Sequence, residues 1–300
     1  MFSARHWDFL HRQGLVVSYP ARLGLLGNAP QIADDQIRRD LVTWGNVEET
    51  GNRLRLSASH EPVFEAFRDP PVQIFGSMLL HRDSVPMPDL GPEVPERFIP
   101  LLKAMPELVP QSKFLVAVAA GVVASAVQYR SHVAVDGVDC TRSDPIAQAA
   151  RLLWEKLVPG EPYETMQEMT FPASALRAVS KVRINFGDPG ELAKSAALAR
   201  AVLESEGVPS RLAASLVELL VQKPEAAAQV CVSAVANLSR AVSEDRAITL
   251  TRFKDGAVLS VPSWRLDGSC YITYMPATPL AWEKALAEFV SRYQRLANIA

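Results

Sequence analysis

Histidines, cysteines and paired carboxylates are the residues that could do chemistry in this chain, and their spacing decides how far each can go. A zinc site on one helix face needs two imidazoles four residues apart, so that both rings point the same way one turn apart. His6, His11, His60, His81 and His132 supply no such pair. His81 and Asp83 stand close enough for a carboxylate to orient an imidazole, an arrangement that ordinary surface loops also contain. Glu61 and Glu65 lie one helical turn apart, as an acid and a base would, but like-charged neighbours on a solvated face have the same spacing. Cys140, Cys231 and Cys270 are odd in number, widely separated and form no Cys-x-x-Cys. They fit reduced thiols better than a zinc cluster or a disulfide framework. No Gly-x-Ser-x-Gly elbow is present to carry a nucleophile. Gly187-Asp188-Pro189-Gly190 precedes a helical pattern, yet the Asp188 carboxylate would repel a phosphate and suits a helix cap. Trp7, Trp44, Trp154, Trp264 and Trp282 are scattered, which suits core packing rather than a stacking platform. The expectation is a protein that is not an enzyme, with no catalytic residue, metal or cofactor. Catalysis stays open only because folding can bring distant residues together.

Composition narrows the class. Three hundred residues with 48% apolar and 21% charged side chains can bury a sizeable core. A net charge of −2 without a basic stripe argues against a nucleic-acid partner. Apolar runs are broken by Pro, Lys or Gln well short of the ~20 residues that span a bilayer, so no stable membrane insertion is expected. Arg5, His6, Asp8, His11 and Arg12 interrupt any apolar core of a leader at the start, and a cytoplasmic location is expected.

The elements that must position any site follow from pattern and punctuation. Helices are expected over 4–12, 34–44 and 61–68, the last ended by Pro70-Pro71. A strand at 72–80 and a meander at 114–120, 122–129 and 132–138 come next, with a helix opened by Asp144-Pro145. Pro86, Pro88, Pro92, Pro95, Pro100, Pro106 and Pro110 exclude a central strand or long helix between the first strand and the meander. Farther on, a strand at 166–171 and a helix at 172–181 are expected. The best-marked start is Asp188-Pro189 with Glu191 three residues after the cap, opening a helix that Gly207 stops. A partner helix over 210–222 packs antiparallel to it. Strands at 229–235, 248–253, 258–261 and 270–274 precede a last helix over 278–297, with turns at Lys254-Asp255-Gly256 and Asp267-Gly268.

The order of these elements repeats. Glu65-Ala66-Phe67-Arg68-Asp69-Pro70, an apolar strand, β-rich sequence and a helix at Asp144-Pro145-Ile146-Ala147 form one pass. Glu218-Leu219-Leu220, Pro224, an apolar run at 226–235, β-rich sequence and Thr278-Pro279-Leu280-Ala281 form the second. Two similar halves, 1–160 and 161–300, follow as parts of one integrated domain, the second carrying a helical bundle.

The second half resembles the EspG family of type VII (ESX) secretion chaperones. The likeness rests on Ala201-Val202-Leu203-Glu204-Ser205-Glu206-Gly207-Val208-Pro209, the leucines from Leu216 to Leu220, and the strand through Gln229. Tyr271-Ile272-Thr273-Tyr274-Met275-Pro276-Ala277-Thr278 and the helix after it are similar to the family's closing strand, Pro and helix. The first half agrees in order, with Trp7 in an opening helix, Tyr19-Pro20, a helix after Asp34 and a strand after the Pro70 helix. The chain departs at Tyr271, where the family usually has Trp. It departs again at Lys254-Asp255-Gly256-Ala257-Val258, near a common Asp-Thr…Gly-Arg-Tyr pattern. Those departures leave the subfamily and the cognate partner open.

The resemblance implies an α+β fold: a central, mostly antiparallel sheet with helical bundles, its two similar halves related by a pseudo-twofold. It implies a cytosolic chaperone that binds the exposed tip of the PPE subunit in a PE–PPE heterodimer, keeps it soluble and targets it for export. The implied contact surfaces are the Pro-rich segment, with Leu90, Val94, Phe98, Ile99 and Leu102, and the C-terminal helices, with Leu212 and Leu216. Each set has a second reading, the loop residues anchoring their own segment and the helix leucines filling the bundle core. A homodimeric module enclosing a small ligand or acting as a regulator is the rival class, favoured by a pocket with converging polar groups. Placing a charge at the loop separates the readings. Phe98→Asp is expected to weaken partner capture and leave the melting temperature unchanged, whereas a collapsed melting transition would make Phe98 a core residue.

Overall fold

The computed structural model describes residues 2–24, 31–51, 53–81, 108–129, 132–157, 160–184, 186, 188–236, 239–243 and 246–299. Along the chain come α1 (Ala4–Arg12), a 3-10 turn (Ala21–Leu23), α2 (Asp34–Thr43), the hairpin β1 (Val47–Thr50) and β2 (Arg53–Leu56), and α3 (Glu61–Glu65). A first meander follows: β3 (Val72–His81), β4 (Leu108–Ala119), β5 (Val122–Tyr129) and β6 (His132–Asp139), closed by α4 (Pro145–Leu157). Next are β7 (Met169–Pro172), α5 (Ala173–Val179), α6 (Pro189–Ser205) and α7 (Ser210–Leu220). The chain ends with β8 (Ala226–Ala236), β9 (Ser239–Val242), β10 (Ile248–Phe253), β11 (Gly256–Trp264), β12 (Cys270–Pro276) and α8 (Pro279–Ile299).

Ten of these strands form one antiparallel sheet in the order β6-β5-β4-β3-β8-β10-β11-β12-β7, with β9 also on β8. The fold is therefore α+β, as expected. Reading outward from the central pair, the first half runs β3 to β6 and the second β8, β10, β11 and β12 in chain order, with β7, which comes earlier in the chain, added at the outer edge. Each half's meander leads into a helix with Pro at its first position. Both helices start alike. Asp144 Oδ1 accepts the Ile146 N–H at 2.8 Å, and Thr278 Oγ1 accepts the Ala281 N–H at 3.1 Å, so each cap satisfies a donor that the helix cannot.

Strand alternation assigns the two faces. On one face Ile74, Phe114, Val116, Val230, Val232, Leu250 and Leu259 pack under α4 and α8, joined by Leu153, Leu286 and Phe289. Trp282 ties those helices together, its indole N–H donating to the Ala150 carbonyl at 2.8 Å and its ring lying 6.4 Å from that of Trp154. The opposite face carries two separate layers. Over the first meander, Trp7, Leu10, Ile37, Leu41 and Phe64 cover Leu115, Ala117, Ala124 and Ala126. At the far end, α5, α6 and α7 enclose Phe171, Leu203, Val208 and Leu216. No helix among the described residues is long and apolar enough to cross a membrane.

The sheet departs from the residue pattern in instructive places. Pro110, counted with the segment from which a central strand was excluded, lies inside β4. The ladder between β4 and β5 begins only at Ser112↔Tyr129, so Pro110 has a neighbour on β3 alone and its missing N–H breaks no pair on the β5 side. A bulge between Met78 and Leu79 accommodates it. The expected strand at 166–171 starts at Met169, because the preceding residues form a turn in which Met166 donates to the Tyr163 carbonyl at 3.1 Å. Trp44, expected within the second helix and in core packing, falls just beyond α2 and is 39% exposed, its ring 5.1 Å from that of His6. The hairpin β1–β2 and the short β9 were not anticipated.

Two buried polar groups are held by geometry that mutation can test. Beyond β9 the ladder on β8 breaks, and Ser243, wholly buried, fills the gap. Its Oγ accepts the Val232 N–H at 2.6 Å, and its own N–H donates to the Val232 carbonyl at 2.9 Å. Ser243→Ala should strand the Val232 N–H and lower stability by about 1–3 kcal/mol, read as a lower urea midpoint. His6, 1% exposed in α1, accepts the Ser3 N–H on Nδ1 at 3.2 Å, while its Nε2 lies 3.5 Å from Asp40. Burial holds its pKa below the ordinary 6.5, with Asp40 pulling the other way. A depressed histidine pKa leaves the unfolded chain binding the proton first, so stability is fully present above 6.5 and declines as pH falls toward the lowered value. Denaturation midpoints should therefore drop between about pH 7 and pH 5, and His6→Gln should flatten that slope.

Candidate partner-binding surface

Between the two helical layers of the open face lies a strip of sheet that no described helix covers. Its floor comes from β3, β8 and β10, whose outward positions on this face are Phe75, Ser77, Gln229, Cys231, Thr249 and Thr251. All are half-buried except Gln229, which is exposed. Hydroxyl, amide and thiol groups dominate, and Phe75 is shielded by the guanidinium of Arg22, 3.5 Å from its ring. The strip is polar for a reason visible in the register. These residues alternate with Ile74, Val230, Val232 and Leu250, which belong to the covered face.

At the β10 end of the strip Leu219 of α7 packs against Phe253, and a groove of about 300 Å³ opens between α7 and the segment 163–169. Leu212, Leu219, Met166 and Met169 provide its apolar lining, while Arg211, Glu168 and Glu218 ring it with charge. The groove's outer wall is fixed by backbone. Tyr163 donates its N–H to the Ala257 carbonyl at 3.1 Å, and Ala257 returns a bond to the Glu161 carbonyl at 2.7 Å. This crossing passes so near the β10–β11 turn that a Cβ on Gly256 would lie 2.6 Å from the Tyr163 Cα, and Gly256 also has φ 139°. The Tyr163 hydroxyl accepts the Gln222 side-chain N–H at 2.8 Å, linking the wall to the end of α7.

Position along α7, and not helical face, separates the two leucines assigned to the surface. Leu212 is half-buried and lines the groove. Leu216, one turn on, is 0% exposed among Leu203, Val208 and Val217. In the folded monomer it is a core residue, whereas Leu212 faces the groove. Leu90, Val94, Phe98, Ile99 and Leu102 lie outside the described residues. The sheet strip was missed, since Ser, Thr and Gln alternating with apolar residues are equally the signature of a solvated face.

The groups singled out for chemistry do not converge. Glu65 takes two bonds from Arg68 at 2.7 and 2.8 Å, which hold its carboxyl below the ordinary carboxylate range, and Glu61 is exposed. His60 is engaged by Ser57 at 2.8 Å and Asn46 at 3.0 Å, and His11 Nδ1 lies 3.0 Å from the Val16 carbonyl. His6 is the buried cap, His132 pairs at the sheet edge, and the side chains of His81 and Asp83 are outside the described residues. Asp188 caps α6, accepting the N–H groups of Gly190 at 2.7 Å and Glu191 at 3.2 Å. Burial pushes Tyr274 up to about 12, so its hydroxyl stays neutral, and it packs against Phe171 rather than lining the groove. Among the described residues, no three His, Cys, Asp or Glu side chains gather as metal ligands, and none of the three cysteines is in a disulfide.

Comparison with known proteins gives this geometry a context. A chain similar in fold over nearly its whole length is the Mycobacterium tuberculosis type VII secretion system chaperone EspG5, whose structure was solved in complex with a PE25-PPE41 dimer. The TM-score is 0.63 at 14% sequence identity, covering 97% of this chain and 95% of that one. No curated protein matches the sequence. The profile of the EspG family matches residues 102–288, well over half of the chain, and the chain belongs to the EspG family.

Proposed function

We propose that this chain is a cytosolic, non-catalytic chaperone of type VII secretion that captures the exposed tip of the PPE subunit of a PE–PPE heterodimer, keeping it soluble and routing it to export. The observation that carries the reading is the Leu212 groove, joined to the end of the sheet strip where Leu219 packs against Phe253, on a fold shared with a protein solved on such a dimer. An apolar helix tip left in water invites aggregation. A captor must offer apolar anchors for it and hydrogen-bonding groups around them. Leu212 and Met166 supply anchors; Ser77, Gln229, Thr249 and Thr251 supply polar groups. A standard interface draws on about 20–30 residues a side, more than the twelve that line the groove, so strip and groove must act together. The segment holding Leu90, Val94, Phe98, Ile99 and Leu102 joins this surface in the proposal.

Residues 1–160 and 161–300 act as one integrated domain in this reading, supported by the β3–β8 ladder that joins them. A rigid platform spanning both halves lets one partner tip press on the strip and the groove at once.

Co-expression with each PE–PPE pair of the source genome tests the proposal directly. One pair should co-purify with the chain, and failure to recover any complex would sink the reading. Leu212→Asp should weaken that complex at least about tenfold without lowering the melting temperature, since the side chain is half-buried in a groove. Leu216→Ala should instead cost stability, about 2–5 kcal/mol, by emptying a site in the bundle core.

A further inference from the structure

The two sheet faces do not have the same grooves. On the α8 side, where the proposed capture surface has no part, α8 passes the end of β11 and leaves a groove of about 530 Å³. That is within the range of about 300–1,000 Å³ usual for ligand sites. Trp264 forms its base, stacked on Phe289 with ring centroids 6.3 Å apart and planes 22° apart. The Arg292 guanidinium lies 3.8 Å from the Trp264 ring, and Arg295 stands one turn below, its Nη1 donating to Ser291 Oγ at 2.8 Å.

Three observations point to an occupant. First, neither arginine meets a carboxylate among the described residues, although the chain as a whole carries more acids than bases. Second, Arg292 Nε is buried without a hydrogen-bond partner, a cost that an arriving acceptor would remove. Third, the backbone beside the groove has an open edge. The β10–β11 ladder stops at Thr249↔Ser260, while β11 continues on its other side as far as Trp264↔Cys270. Among the described residues, 261–264 thus have a strand neighbour on one side alone, an edge from which Pro262 withholds its N–H.

We propose that this groove docks an extended, acidic segment of a protein partner. Its carboxylates would take the free N–H edges of Arg292 and Arg295, and its alternate apolar side chains would lie on Trp264 and Phe289. A guanidinium stacked on an indole keeps its in-plane donors for a carboxylate, an arrangement that suits Arg and not Lys. The strand edge favours a peptide over a lone anion, because only a chain can use backbone and side-chain sites together. Glu288 on the same groove disfavours a dense run of acids, so acidic residues alternating with apolar ones fit best. Nucleic acid is disfavoured by the chain's net charge of −2.

The test uses the full chain and a fluorescein-labelled peptide of alternating Glu and Val, with a Gln–Val peptide as control, read by fluorescence anisotropy. The Glu peptide should bind, with affinity falling as salt rises, and the Gln peptide should not. Arg295 is exposed, so Arg295→Glu should keep the wild-type melting temperature while weakening the Glu peptide at least about tenfold. Equal binding of both peptides, indifference to Arg295→Glu, or no binding of either peptide would overturn the proposal. Displacement of the peptide by inorganic phosphate at matching concentration would also overturn it, identifying a small-anion site. These readouts involve no PE–PPE pair, so their failure leaves the capture reading where it stood.

Discussion

The pairing of β3 with β8 is the interaction on which the rest of the molecule depends. It runs from Val72↔Ala234 to Leu80↔Ala226 and joins two meanders that would otherwise each present an open edge. The approach is close enough at Gly76 that any Cβ there would collide with the Gln229 carbonyl oxygen and with the Phe114 ring. Backbone cannot retreat from such a collision without opening the ladder on both sides, so the residue type at 76 is set by the neighbouring strand and not by a turn. Because the seam is a ladder of backbone bonds and not a side-chain interface, the halves are held at fixed separation. A surface that draws on both halves inherits that rigidity.

A continuous sheet has two faces, and here they are treated unequally. One is sealed across the seam by α4 and α8, with Trp282 bonded to the Ala150 carbonyl and the central valines beneath. That single layer can stabilise both halves together, since α4 belongs to the first and α8 to the second. Among the described residues the other face is covered at its ends, by α1–α3 and by α5–α7. Stability is therefore concentrated on one side, which leaves the central strands free to present unpacked side chains on the other. Such a division suits a protein whose work is contact.

Legibility in the sequence follows the strength of local punctuation. The ranges 4–12 and 248–253 coincide with α1 and β10, because Gly14 and the Lys254-Asp255-Gly256 turn leave little freedom in where those elements stop. The caps at Asp144, Asp188 and Thr278 were equally plain, and all three accept the bonds that their residue types imply. The β1–β2 hairpin was opaque for the opposite reason. Glu48, Glu49, Arg53 and Arg55 carry charges on four-residue strands, and only Val47 is buried among them, so no alternation rises above a solvated loop. The short β9 exists because β8 offers it an edge, a tertiary cause with no local trace. At the site, periodicity identified α7 but not which of Leu212 and Leu216 faced outward, since both lie on one broad apolar stripe and only the position of α6 and β7 divides it.

A protein that shields another's apolar surface must survive in water before the partner arrives, and this limits what its own surface can be made of. A strip as apolar as the target would satisfy the complex and jeopardise the free chain, because contiguous exposed apolar patches draw molecules together. The strip here meets both demands through residue type. Ser77, Thr249 and Thr251 are small hydroxyl residues that hydrate readily and still pack flat against an incoming helix. Phe75, the one large apolar side chain among them, lies under Arg22. Apolar anchoring is confined to the groove, where Leu212 and Met166 are half-buried against their own domain and ringed by Arg211, Glu168 and Glu218. Confinement lowers the cost of the empty state without removing the anchor, since a partner side chain entering the groove displaces water from surfaces already half-enclosed. The same logic explains why Leu216, one turn farther along α7, is sealed in the bundle, leaving Leu212 and Leu219 as the leucines of that helix that line the groove.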